Sequence, residues 1–499
     1  MVVEPNLDGE VSATARDITD RRASLSGGGP RRTAAPRVFP LSPTPFESLM
    51  LLEHCHRYPM AFVIEVDATG WMNRAAFMTA LEKALERHPL LQAQLGMSKR
   101  RRCWIPAPGQ LPRVSWVKHD DPPAMPAADD WNLHEEIGVR VAIREDAPRV
   151  KIALAFHHAC TDGVGACQFI GDLLAAYAIV TGADGPPPEL TPLNPVRLRG
   201  RNHGWHIMSL SDPSWRQTLR LAASEIGQCI SDPRVQTVAP PRGGRSGGPA
   251  AWPRIESFQF EPDVMDRLRA SAARHDATVN DLLLAALFRT VVSWNRTQGT
   301  GDSRGRLRIL MPIDMRTSLD VDLPAANVTA CTFLTRGVDE CADTDGLVRS
   351  IRDETLAIRY GDHGVRFLNA VRAGMHAPVL LRLLLGLGRY MMSTAVLSNL
   401  GDPARRFAVR LPREHGAIVC GDLRIDGMTG APPLRRWTRM AVSVFAHRQL
   451  TLGMRCDPRL FGPDDTRRLL ELYAAHLADH LAPATTRGSG RQFVDRGTS

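Results

Sequence analysis

The chain reads as a mixed α/β protein folded into two sandwich-like lobes, and three observations predict it. Strand-like and helix-like segments alternate in both halves of the sequence. The 499 residues are too many for one simple core. A Pro- and Gly-rich break, Pro240-Pro241-Arg242-Gly243-Gly244-Arg245-Ser246-Gly247-Gly248-Pro249, separates the halves. The expected organisation is a disordered tail over 1–36, an N-terminal lobe over 37–239 and a linker over 240–252. A C-terminal lobe over 253–484 and a second disordered tail over 485–499 complete it.

Each element has a local reason. A strand near 61–66 precedes a helix whose apolar positions, Phe77, Leu81 and Leu85, share one face; Arg87-His88-Pro89 ends it, because proline cannot continue a helix. A hairpin follows near 91–106, with Lys99-Arg100-Arg101-Arg102 as its solvated tip, then strands near 138–145 and 150–156. Phe169, Leu173, Leu174 and Tyr177 mark a helix that closes before Gly182, and Pro186-Pro187-Pro188 ends that unit. In the second half, 255–260 reads as a strand and 262–274 as a helix. Thr278-Val279-Asn280-Asp281 caps an apolar helix running to about Trp294, with Asn280 read as a capping residue. Strands are expected at 306–312, 327–334 and twice within 440–454, and an amphipathic helix at 464–481. The apolar stretch 378–400 carries Arg382 and Arg389, which disfavours a membrane span; it reads first as a core helix beside an acyl pocket and second as an interfacial helix with peripheral membrane contact.

Composition narrows the partners. The formal charge is +9, but arginines are spread along the chain, so the sequence predicts no nucleic-acid partner; the diffuse field would instead favour an anionic donor. Nine cysteines without paired metal spacing, and no secretory apolar region at the N-terminus, point to a reducing cytoplasm.

The strand at 150–156 runs straight into His157-His158-Ala159-Cys160-Thr161-Asp162-Gly163. Two adjacent imidazoles at a strand end face opposite ways if strand geometry persists. One can present a neutral ring nitrogen as a base while its neighbour braces the loop. Taken alone, His158 would read as a strand-end histidine making one backbone bond. Asp162 either caps the helix expected near Gly165 or sits in a buried ion pair, and orients in both cases. Gly163 leaves room for close approach of backbone.

This heptad resembles the His-His-x-x-x-Asp-Gly signature of the condensation-domain and coenzyme A-dependent acyltransferase superfamily, which includes polyketide-associated acyltransferases, alcohol acetyltransferases and wax ester synthases. Weaker matches run in order over about 39–482: Glu86-Arg87-His88-Pro89-Leu90-Leu91, Thr278-Val279-Asn280-Asp281, Met311-Pro312-Ile313-Asp314-Met315-Arg316 and Ser398-Asn399-Leu400-Gly401. The resemblance implies two chloramphenicol-acetyltransferase-like lobes with a tunnel between them. It implies His158 as general base, His157, Asp162, Gly163 and Arg316 as support, Arg316 pairing with Asp162 from the other lobe, and Ser398 and Asn399 near the substrate. The reaction it implies is transfer of an acyl group from acyl-CoA, or from a separate acyl-carrier protein, to the hydroxyl or amine of a small acceptor, ester formation being preferred. No cofactor beyond the thioester co-substrate and no metal is expected. Two rivals remain: a zinc hydrolase using His157, His158 and Asp162, which lacks a third convergent ligand, and a catalytically silent acyl- or carrier-binding protein.

Overall fold

The computed structural model describes residues 38–118, 131–182, 187–201, 235–243, 255–375, 381 and 393–481. The expected tails, most of the linker, Pro186 and most of 378–392 lie outside the described residues. In chain order the first half gives α1 (Pro45–Glu53), β1 (Ala61–Gly70), α2 (Arg74–Arg87), β2 (Ala93–Ser98), β3 (Arg101–Pro106), β4 (Val114–Lys118), β5 (Val139–Asp146), β6 (Arg149–His157) and α3 (Gly163–Thr181). The second half gives β7 (Glu256–Gln259), α4 (Val264–Arg274), α5 (Val279–Thr297), β8 (Arg306–Asp314), β9 (Thr329–Gly337), α6 (Thr344–Tyr360), α7 (His363–Met375) and β10 (Ala395–Gly401). It closes with β11 (Arg413–Glu414), β12 (Ala417–Cys420), β13 (Leu423–Ala431), β14 (Met440–Phe445), β15 (Thr451–Cys456) and α8 (Pro463–Ala478).

Two large sheets organise these elements, in the orders β11-β12-β13-β1-β6-β5-β4 and β7-β15-β14-β10-β8-β9. β13 runs antiparallel to β1, with Val63 opposite Ala431, so the first sheet takes strands from both sides of the Pro/Gly-rich break. Local sequence could not announce that excursion, because a strand's partner is a tertiary choice. β2 and β3 form the expected hairpin, and its tip residues Lys99 and Arg100 both have positive φ (47° and 64°), the backbone of a tight two-residue turn.

One apolar core joins the first sheet to α2 and α3 and takes in Leu310, Met315, Ala441 and Phe445 from the second half. The other surrounds α5, which is buried along Leu282–Phe288 and meets Tyr473 of α8. α3 is the one described helix long and apolar enough to cross a membrane (19 residues, mean hydropathy 1.6), and 78% of that stretch is buried within the protein.

Two expectations need correction. Residues 395–401, at the end of the stretch expected as a helix, form a strand in parallel register with β8 and β14, where β-branched and small side chains pack between neighbours. The cap of α5 is Thr278, completed by Asp281, not Asn280.

Candidate active site

β6 ends where the heptad begins. Ala61 of β1 pairs with His157, and the ladder reaches one residue further through His158 N–H donating to the Met60 carbonyl at 2.7 Å. The chain then turns, with Cys160 N–H bonded to the His157 carbonyl at 2.8 Å, and α3 starts at Gly163. Strand alternation sends the two imidazoles to opposite sides.

The His158 ring is half-buried and lines a cavity. Its Nδ1 lies 3.2 Å from the Thr161 carbonyl oxygen, which can only accept, so Nδ1 holds the proton and Nε2 is the basic nitrogen. Phe62 and Phe46 meet the ring edge-on at 5.2 and 5.9 Å between centroids. Burial pushes its pKa below the ordinary 6.5, the Asp162 carboxylate opposing and Arg435 adding to the depression. Neutral imidazole is therefore the form present at pH 7.

His157 is buried on the other side. Its Nδ1 accepts from Ala159 N–H at 3.2 Å and its Nε2 is 3.0 Å from Nδ1 of His54. Trp131 meets it edge-on at 5.8 Å. Burial, then His54, His158 and Arg140, hold its pKa well below the usual histidine value.

Asp162 caps α3 and forms an ion pair at the same time. Oδ1 accepts from Gly165 N–H at 2.8 Å and from Arg316 Nη2 at 2.9 Å; Oδ2 accepts from Arg316 Nη1 at 2.8 Å, Val328 N–H at 2.8 Å and Thr329 Oγ1 at 2.9 Å. Burial alone would raise its pKa, but the Arg316 guanidinium and the backbone N–H donors outweigh it and keep the carboxyl below its ordinary value. Arg316 is anchored in turn by Asp314 at 3.2 Å and the Ala326 carbonyl at 3.0 Å. A segment from the second half thus clasps the heptad. A Cβ on Gly165 would lie 2.4 Å from Thr161 Oγ1 and 2.9 Å from the Ala326 carbonyl oxygen, so glycine permits the clasp. At Gly163 the neighbour is the Leu400 side chain, at 2.7 Å from such a Cβ.

The cavity beside His158 runs between the two sheets and holds about 1150 Å³ of empty space, its open mouth included. Phe46, Leu49, Met50, Phe62, Leu310 and Val396 make much of its wall hydrocarbon. Ser398 and Asn399, on β10, also line it. Asn399 is partly committed to structure: its Oδ1 accepts from Gly401 N–H at 3.0 Å and its Nδ2 donates to Asn280 Oδ1 at 3.2 Å. A β-bulge between Asn399 and Gly401 aims Leu400 at the start of α3. His88 stays out of the cavity; fully buried, it joins Asp172 of α3 at 3.1 Å and Ala325 N–H at 2.9 Å. His157, His158 and Asp162 point three ways and do not converge as ligands, and no metal-binding cluster occurs among the described residues.

Several participants carried no sequence signal. Asn327 donates through Nδ2 to the His158 carbonyl, Thr329 completes the Asp162 shell, and His54 contacts His157 across 103 residues of chain. Only the fold brings them there.

The architecture is that of two chloramphenicol-acetyltransferase-like lobes, the fold of condensation domains. The first condensation domain of the calcium-dependent antibiotic synthetase, solved with a substrate analogue, superposes with a TM-score of 0.60 at 16% identity, covering 88% of this chain and 96% of that one. The starter condensation domain of rhizomide synthetase, in a variant bound to C8-CoA, gives 0.60 at 15% identity, covering 89% and 96%. The epimerization domain from the third module of tyrocidine synthetase B gives 0.57 at 14% identity, covering 88% and 97%. By sequence, the chain is 25% identical over 354 residues to uncharacterised proteins from two strains of Mycobacterium tuberculosis, covering 68% of this chain and 78% of each. No protein-family model matches it. Condensation and epimerization domains sharing one fold means that the reaction has to be argued from the site.

Proposed function

We propose that this protein is an acyltransferase that moves an acyl group from a thioester, acyl-CoA or an acyl-carrier protein, to a hydroxyl or amine, with His158 as general base and no covalent intermediate. The observation that carries the reading is the His158 ring, its Nδ1 held by the Thr161 carbonyl, lining a largely apolar cavity between the sheets. His158 Nε2 takes the acceptor's proton as its oxygen or nitrogen bonds to the thioester carbonyl carbon. The tetrahedral oxyanion would lie at the start of α3, where the first N–H groups have no intrahelical acceptor. Collapse breaks the carbon–sulfur bond, and His158 returns the proton to the departing thiolate. His157, Asp162, Gly163 and Arg316 hold the loop, and Ser398 and Asn399 border the acceptor.

The hydrocarbon wall suits a fatty or polyketide-like acyl chain, and the C8-CoA complex of the rhizomide starter domain offers a parallel from the same fold. We favour a hydroxyl acceptor, which is neutral at pH 7 and gives up one proton, whereas an ammonium group must lose one before it can attack. The test is a panel of acyl-CoA thioesters of increasing chain length with alcohol and amine acceptors, read by thiol release and by mass of the product. Turnover should fall by about 10²- to 10⁴-fold in His158→Ala while the melting curve stays close to the parent's. Unchanged turnover in that variant would remove His158 as the base, and a parent protein that releases no thiol above the protein-free background would favour a silent acyl- or carrier-binding protein.

A further inference from the structure

Behind the heptad lies a second imidazole pair whose hydrogen bonds admit a single arrangement. Ala159 N–H donates to His157 Nδ1, so the His157 proton sits on Nε2. That N–H points at His54 Nδ1, 3.0 Å away, which must therefore be unprotonated. The same Nδ1 also faces Met60 N–H at 3.2 Å. The remaining His54 nitrogen then carries the proton; burial lowers the His54 pKa, and the Trp131 backbone opposes that shift. Arg140, buried and bound to Glu136 at 2.6 and 3.0 Å, stacks over Trp131 at 4.7 Å and disfavours a second positive charge on either ring.

His54 thus holds two things with one lone pair. It grips the His157 ring, and it grips the backbone N–H of Met60, the residue whose carbonyl receives His158 N–H at 2.7 Å. His54 also ends α1, the helix whose Phe46 touches the His158 ring. We propose that His54 is a positioning residue for His158: through its Nδ1 acceptor it fixes the His157 ring and the Met60 backbone at its N–H, and so sets where the His158 imidazole stands in the cavity. The assignment rests on the reading of His158 as base.

Asparagine can place an amide oxygen near the position of Nδ1, whereas phenylalanine keeps the ring and loses the acceptor. His54→Phe should lower kcat by about 10- to 100-fold with KM within about 2-fold, since a misplaced base costs rate and not binding. His54→Asn should restore kcat to within about 5-fold of the parent, because the acceptor is back. Ring nitrogen–proton correlation spectra of histidine-labelled protein give a readout independent of turnover. The parent should show Nε2–H on His54 and His157 and Nδ1–H on His158; His54→Phe should lose the fixed His158 tautomer, and His54→Asn should keep it. Parent-like kcat and His158 signals in His54→Phe would overturn the assignment, as would a His54→Asn protein as impaired as His54→Phe. Full turnover in His158→Ala would instead remove the base, and the ring spectra would still decide whether His54 orders the loop.

Discussion

Behind the heptad loop, His54, His157, Asp162 and Arg316 are held by polar groups, while in front of His158 the cavity wall is mostly hydrocarbon. Asp162 alone receives five hydrogen bonds from four residues, at 2.8–2.9 Å. Polar side chains are the minority at the front, where Asp314, Arg406 and Arg435 place charge in the wall, and Asn399 is already spent on Gly401 and Asn280. A densely hydrogen-bonded polar network in low dielectric has few good arrangements and so fixes geometry. An apolar wall is non-directional and tolerates ligands that differ by a methylene. The contrast assigns precision to the back and adaptability to the front.

The largest blow to that contrast is Arg316→Met. Asp162, 2% exposed, would lose its cation, and removing one partner of a buried pair costs about 3–5 kcal/mol. Denaturant unfolding should show the loss, and adding Asp162→Asn should recover part of it. An Arg316→Met protein as stable as the parent would mean that the clasp is not held by charge.

Acid should act next, and on both sides. His54, His157 and His158 are all depressed below 6.5, so the folded protein holds them neutral while the unfolded chain protonates them as pH falls below that value. Their contribution to stability is present above pH 6.5 and is lost progressively as pH drops towards the folded values. With His158 as the proposed base, activity should be level from pH 7 to 8 and reach half-maximum below pH 6.5, because that ring must be unprotonated to act. Melting curves and kcat/KM across pH check the two limbs separately; a rate already falling between pH 8 and 7 would contradict the depressed His158.

Asn399→Ala should have the smallest effect. Its bonds are neutral and partly solvated, so the cost is about 0.5–1.5 kcal/mol. A loss as large as that of Arg316→Met would erase the distinction between the two sides.

Much of this was legible in the chain. The four-residue spacing of Phe77, Leu81 and Leu85, close to one helical turn, gives α2, and Pro89 stops it, because both are local consequences of backbone geometry. The heptad marked the site for the same reason: a strand end, a cap and a glycine-permitted approach lie within seven residues. The stretch before Ser398 misled, since a short apolar run is compatible with helix or strand until its neighbours are known.

By itself the sequence determined the helix stops, the hairpin turn and the placing of two imidazoles on opposite sides of one strand. Tertiary structure alone decided that β13 joins β1, that β10 is a strand, that Asn327 and Thr329 reach the heptad, and that His54 meets His157. The physical reason is range. Propensity, capping and alternation act over a few residues, whereas a hydrogen bond across 103 or 167 residues exists only once two sheets have buried their apolar faces together.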